Sequence, residues 1–129
     1  MVRQVYLCIM AITMYPLRLF IRKRIIFIPF LFSFILVAAA TVWLTLGVMK
    51  GAEQYVLHYT ILFGVDQVGN FFGFYILPAF GIGILTLNFL VSWALYAYDT
   101  FLSALIMVGT LFIQFAVFGF AAILVFLNT

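Results

Sequence analysis

Three long apolar runs make up most of the chain, at residues 25–49, 71–96 and 101–127. None of them contains an Asp, Glu, Lys or Arg. A helix of about 20 apolar residues crosses the roughly 30 Å hydrocarbon core of a bilayer, and each run exceeds that length. The pattern therefore predicts an all-α integral membrane protein with three transmembrane helices, in a single transmembrane domain that covers residues 1–129.

The few polar and small residues of the second run share one face of the predicted helix. At about 100° per residue, one narrow sector contains Asn70, Pro78, Gly81, Asn88, Ser92 and Tyr96. A surface that faces lipid tails has no use for such a concentration of polar and small groups. We therefore expect this face to pack against protein.

The third run carries a matching stripe, and its members return to one helix face. They are Ser103, Thr110, Gln114, Ala121 and Asn128, at intervals of 7, 4, 7 and 7 positions. Because residues 97–100 form so short a link, the second and third helices should make an antiparallel hairpin. Asn88 would then lie at the depth of Thr110 and within one turn of Gln114.

The two stripes allow two interpretations. Gly81, Asn88, Ser92, Ser103, Thr110 and Gln114 either pack the helices together or line a pathway for a solute. In the first case, interhelical hydrogen bonds of roughly 0.6–2 kcal/mol fix helix rotation and register. In the second, the stripes form a neutral polar lining, since none of these side chains ionises and none can relay a proton as a carboxylate does.

The first run has its own path of small and apolar residues along one side, formed by Ser33, Ala40, Leu44 and Gly47. Small residues on one side of a membrane helix let a second helix approach closely. Pro29 lies in the first turns, where a missing N–H costs least. We expect another helix to pack on this side.

The connection at residues 51–70 is the longest between apolar runs, and it is rich in aliphatic and aromatic residues. We expect an interfacial segment in which residues 52–63 form a short helix that ends at Gly64. Residues 64–69 then form a turn, with Asn70 as the N-cap of the second helix.

This connection also holds the only group of residues suited to acid–base or metal chemistry, namely Glu53, His58 and Asp66. A carboxylate beside a histidine would form a catalytic dyad. Glu53 and His58, however, are five positions apart and would not share a helix face. No sequence motif of a nucleophile, a metal site or a phosphate loop accompanies them. We expect an extracytoplasmic polar cluster at headgroup level and no enzymatic activity.

Basic residues are concentrated before the first run. Five of the six precede Ile25, and four of these are Arg18, Arg22, Lys23 and Arg24. The positive-inside rule then predicts a cytoplasmic N-terminus and an extracytoplasmic C-terminus in a cell inner membrane. The natural partners of these four cations are anionic lipid headgroups, and no nucleic-acid role is expected.

Residues 1–24 as a whole read as a basic interfacial segment. Residues 5–17 are apolar but too short to span a bilayer, so an in-plane helix that Pro16 kinks or ends is expected. A signal peptide is disfavoured because no small-residue cleavage site follows. Met14 is an alternative start of the protein.

Composition supports the membrane interpretation and limits the chemistry. The chain is 69% hydrophobic and 7% charged, against about 25% charged residues in a soluble domain. The single cysteine, Cys8, excludes an intramolecular disulfide and a cysteine metal cluster. We expect no cofactor and no metal.

The stretch HYTILFGVD at residues 58–66, with ILPAFG at 76–81 and Asn88, resembles uncharacterised small bacterial multi-pass membrane proteins. That resemblance implies no activity. The sequence thus favours a small structural or accessory subunit of a membrane complex or homo-oligomer, bound to itself or to a larger membrane protein. The alternative is a protomer of an oligomeric channel or transporter, and the third choice is a membrane enzyme that uses His58 with an acidic partner.

Overall fold

The computed structural model describes residues 15–47, 55–60, 64–69 and 71–128. Its helices are α1 (Leu17–Ile21), α2 (Arg24–Gly47), α3 (Ile76–Tyr96) and α4 (Thr100–Asn128), and a 3-10 helix, Phe71–Tyr75, leads into α3. Three helical stretches, Arg24–Gly47, Phe72–Tyr96 and Thr100–Asn128, are long and apolar enough to cross a membrane. The predicted three apolar helices are confirmed. The first five residues of the second predicted run form the 3-10 helix, so α3 itself begins at Ile76.

α2 and α4 run in the same direction, and α3 runs against both. Close approach of small residues explains the packing of α2 on α4, since a Cβ at Gly47 would lie 2.5 Å from Cγ1 of Val125. The predicted path on α2 is buried at Ser33, Ala40 and Leu44. The side of α2 that carries small residues therefore faces the other helices, as the sequence predicted.

Two apolar clusters close the ends of the three-helix bundle. Towards the C-terminal ends of α2 and α4 the cluster contains Ala40, Leu44, Phe74, Ala121 and Val125. Towards their N-terminal ends it contains Phe20, Ile26, Tyr96, Ala104 and Met107. Between the two clusters the helices carry wholly buried polar side chains, namely those of Ser33, Thr110 and Gln114.

The connection before the 3-10 helix is a β-hairpin, and the helix and turn predicted for it are wrong. Strand β1 (Tyr55–Thr60) pairs antiparallel with β2 (Gly64–Gly69), and the register is irregular around His58. Val, Tyr and Thr favour strands, and a three-residue separation is a common hairpin length. Strand preference therefore prevails over the expected interfacial helix. The predicted N-cap, Asn70, lies outside the described residues.

The N-terminal segment folds onto the bundle where the structure describes it. Pro16 precedes α1, and its carbonyl accepts hydrogen bonds from the backbone N–H groups of Leu19 and Phe20 at 2.9 and 3.0 Å. Phe20 of this short helix is wholly buried. The remainder of the expected in-plane helix, with Arg3 and Cys8, lies outside the described residues.

Candidate functional site

The face between α3 and α4 brings together the six stripe residues that were candidates for packing or a pathway, in three hydrogen-bonded contacts. The first is a reciprocal pair of serines near the link between the helices. The hydroxyls of Ser92 and Ser103 lie 2.8 Å apart, and both side chains are wholly buried. Each hydroxyl also lies within hydrogen-bonding distance of the other residue's backbone carbonyl, at 3.0 Å from Ser92 and 2.8 Å from Ser103. A short hydroxymethyl on each helix allows this close approach.

The second contact is formed by Asn88 and Thr110, nearer the middle of the helices. The Asn88 amide donates to Oγ1 of Thr110 at 3.0 Å. The Thr110 hydroxyl in turn donates to the Ile106 carbonyl of its own helix at 2.8 Å. The threonine is thus held as an acceptor, and the half-buried Asn88 has further hydrogen-bonding capacity.

The third contact joins a side chain to a backbone. Nε2 of Gln114 donates to the Gly81 carbonyl at 2.8 Å, and Gln114 is wholly buried. A Cβ at Gly81 would lie 3.0 Å from Oε1 of Gln114 and 3.4 Å from side-chain carbons of Val37 and Val117. All three long helices therefore meet at Gly81, where the absent side chain makes room for the glutamine.

The chemistry available along this face is neutral. The sequence of α3 and α4 contains no Asp, Glu, His, Lys or Arg. Amide and hydroxyl groups can hold helices together or satisfy a neutral polar molecule, but they cannot exchange protons near neutral pH. The face is therefore suited to helix packing or to a neutral ligand.

Beside the C-terminal end of α3, a basic turn is fixed by aromatic residues. Arg18, Arg22, Lys23 and Arg24 are all exposed. Phe20, between them in sequence, packs edge-on against Phe89 and Tyr96, with ring centroids 5.5 and 5.2 Å away. Nε1 of Trp93 donates to the Tyr15 carbonyl at 2.7 Å and holds the chain ahead of α1.

The single acidic residue near this turn is already engaged in capping. Oδ1 of Asp99 accepts from the backbone N–H groups of Phe101 and Leu102 at 2.9 and 3.0 Å. Asp99 is therefore the N-cap of α4. The first turn of α2 contains no acidic residue.

The predicted extracytoplasmic cluster is described only in part. Glu53 lies outside the described residues, and His58 and Asp66 are described as backbone on β1 and β2, with His58 opposite Gln67. Among the residues that the structure describes, no group of three His, Cys, Asp or Glu could hold a metal.

Sequence reasoning missed two features of the bundle. Ser33 of α2 was assigned only a packing role, yet its hydroxyl is a wholly buried polar group. The anchoring of the basic turn by Phe20 and Trp93 was also missed. The sequence signal for this anchoring was Phe20, an aromatic residue inside a run of cations. A fully solvated segment gains little from such a side chain.

No protein-family model matches the chain, and no curated protein or solved structure is significantly similar to it.

Proposed function

We propose that this protein is a non-enzymatic integral membrane subunit whose polar stripes are a packing surface. The observation that carries the proposal is that the stripes bond to each other. Asn88 meets Thr110, Ser92 meets Ser103, and Gln114 meets the backbone of Gly81. A stripe that lines a pathway must leave its polar groups free for the solute, whereas these are used between helices.

A bilayer environment is supported by what covers the outside of the bundle. Large apolar side chains point outward on all three spans, for example Leu46 at 80%, Phe112 at 69% and Phe126 at 82% exposure. Exposed apolar surface of this extent is costly in water and favourable in lipid. In this proposal the protein therefore crosses the cell membrane more than once.

The basic turn supports the orientation and a lipid partner. Its four exposed cations adjoin the first span, and the nearby Asp99 is already used as a cap. Cytoplasmic flanks of membrane helices are rich in Lys and Arg, and anionic headgroups attract each of them by about 1 kcal/mol. The turn therefore lies at the cytoplasmic surface against anionic headgroups, with the N-terminus inside and the C-terminus outside.

A role as a subunit or homo-oligomer is supported by the small buried fraction of each span. Within each most apolar window only 22–28% of the residues are buried inside the chain. Asn88 also makes one hydrogen bond to another described residue, although its amide can make four. A second copy or a larger membrane protein would cover part of this surface and use the remaining capacity.

The second candidate function is a protomer of an oligomeric channel for a neutral solute. Oε1 of Gln114 favours it, because this acceptor is buried and unpartnered among the described residues. The packing function and the channel function make opposite predictions for the same substitution, Asn88→Leu.

Asn88→Leu tests the two functions. If the stripes are packing surface, the free energy of unfolding in mixed micelles falls by about 0.6–2 kcal/mol, and liposomes containing wild-type protein alone stay tight to water and small solutes. Thr86→Val is the matched control, since Thr86 is exposed and its hydroxyl donates to its own helix at Ile82. Selective flux through wild-type liposomes, abolished by Asn88→Leu in a folded protein but not by Thr86→Val, would overturn the packing function in favour of a pathway.

A further inference from the structure

Two buried polar atoms in the middle of the bundle have no hydrogen-bond partner among the described residues. They are Oγ of Ser33 on α2 and Oε1 of Gln114 on α4. Both side chains are 0% exposed. In a membrane core such groups must be satisfied from within, because lipid tails offer no hydrogen bonds.

Ser33 differs from the threonine hydroxyls of the bundle. Each of these donates to the carbonyl four residues earlier on its own helix, as shown by Thr41, Thr45, Thr86 and Thr110. The Ser33 hydroxyl does not use this acceptor, although the helix offers one at the carbonyl of Pro29. It is therefore available to a group between the helices.

The register of α2 against α4 brings Ser33 and Gln114 to within one helical turn of each other in height. Gly47 contacts Val125, 78 positions later, while Val37 and Val117, 80 positions apart, contact the same point beside Gly81. With that offset, Ser33 lies opposite residues 111–113 of α4. The buried polar side chains that bracket this level on α4 are Thr110 and Gln114.

The chemistry of the two groups is complementary to a small donor. Because Nε2 of Gln114 donates to the Gly81 carbonyl, Oε1 is the side-chain atom left for another partner, and it can only accept. The Ser33 hydroxyl can donate and accept. A cation would require about six oxygen ligands, which one amide and one hydroxyl cannot supply.

We propose that Ser33 and Gln114 hold one bound water molecule between α2 and α4. The water donates to Oε1 of Gln114 and exchanges a second hydrogen bond with Oγ of Ser33. Buried waters in proteins commonly satisfy such pairs of otherwise unpartnered groups. The water thereby links α2 to the hairpin of α3 and α4, whose own contacts are direct. This inference does not depend on the packing function.

Solid-state NMR of the full-length protein in lipid bilayers tests the water directly. With the glutamine side-chain amides and the methionine methyls both labelled, magnetisation is transferred from water to protein, and Gln114→Met identifies the Gln114 signal. We expect transfer to Gln114 in the wild-type chain, above that to the wholly buried methyl of Met107. Ser33→Ala should reduce it to the Met107 level, and Thr86→Val should leave it unchanged.

Ser33→Cys serves as a second variant with nearly the same volume and a much weaker donor, and it should reduce the transfer in the same direction. Absence of transfer to Gln114 in the folded wild-type protein would overturn the proposal. It would also be overturned if Ser33→Ala shifted the Gln114 carbonyl resonance with no water transfer in the wild type, since the two side chains would then bond directly. Transfer that persists in both Ser33 variants would remove Ser33 from the site.

Discussion

Gly81 and Gly83 lie two positions apart on α3 and face opposite surroundings. A Cβ at Gly81 would press on Oε1 of Gln114 at 3.0 Å, whereas a Cβ at Gly83 would meet nothing within 4 Å. Gly81→Ala should therefore lower the free energy of unfolding by about 1–3 kcal/mol through overpacking and loss of the Gln114 bond. Gly83→Ala should leave it unchanged or raise it by up to about 1 kcal/mol, since alanine favours the helix.

Equilibrium unfolding in mixed detergent micelles measures both variants against the wild type. Because the two substitutions are chemically identical, the difference between them isolates the contact with Gln114. An equal effect of both alanines would contradict the arrangement at Gly81.

The serine pair predicts strong energetic coupling. Ser92 and Ser103 share their hydroxyl contact and each other's carbonyls, so either Ser→Ala substitution removes part of the same network. Each single variant should lose about 0.6–2 kcal/mol, and the double variant clearly less than the sum. The same unfolding assay measures the cycle. Ser92→Ala combined with Thr45→Val serves as the control and should be additive, because Thr45 bonds with Thr41 and Tyr75 elsewhere.

At the scale of single residues, the sequence predicted which side chains meet better than it predicted which backbone groups they bond to. The depth of Asn88 followed from counting residues along two helices joined by a short link, so its meeting with Thr110 was foreseeable. The bond from Gln114 to the Gly81 carbonyl was not, because a backbone acceptor leaves no mark in a pattern of residue types. The unpartnered hydroxyl of Ser33 likewise depends on a rotamer, which periodicity does not specify.

Among the elements, the β-hairpin shows where pattern reasoning fails. Residues 52–63 have apolar positions compatible with a helix, and the long spans on either side made a helix the natural expectation. Strand formation depends instead on a partner, and β1 finds one immediately afterwards in β2. A segment of six residues is too short for its own periodicity to distinguish the two structures. The long spans were predictable because their length alone excludes other structures in lipid.

The packing of α1 on the bundle should depend on one side chain. Phe20 is wholly buried, whereas Leu19 beside it is 46% exposed. Phe20→Ala should release α1 from the bundle, at a cost of about 3–5 kcal/mol if the site resembles a soluble core. Leu19→Ala should have a much smaller effect.

Tryptophan fluorescence reports this release, because Trp93 donates to the Tyr15 carbonyl ahead of α1. In a Trp43→Phe background the emission should shift to the red with Phe20→Ala and stay near its original position with Leu19→Ala. An unchanged spectrum with Phe20→Ala would show that the turn is held by other contacts.

For the whole molecule, the proposed function gives the basic turn and the polar face separate tasks. The turn lies at the end of the bundle and is held by aromatic rings, while the polar face lies between the helices and is satisfied by its own groups. Loss of one should leave the other intact. A variant that weakens lipid attraction is therefore expected to insert and pack but to lose its defined orientation.

The last prediction concerns that orientation. In the proposed topology three spanning helices put the two ends of the chain on opposite sides, and the positive-inside rule assigns the N-terminus, with its basic residues before Ile25, to the cytoplasm. Reporter fusions that discriminate the cytoplasm from the exterior should place residue 2 inside and residue 128 outside. Neutralising Arg18, Arg22, Lys23 and Arg24 together should produce mixed orientations, whereas Lys50→Gln should not weaken the inward bias. An external N-terminus with an internal C-terminus would contradict the proposed orientation. Both ends on one side would contradict the three-span topology and every depth argument built on it.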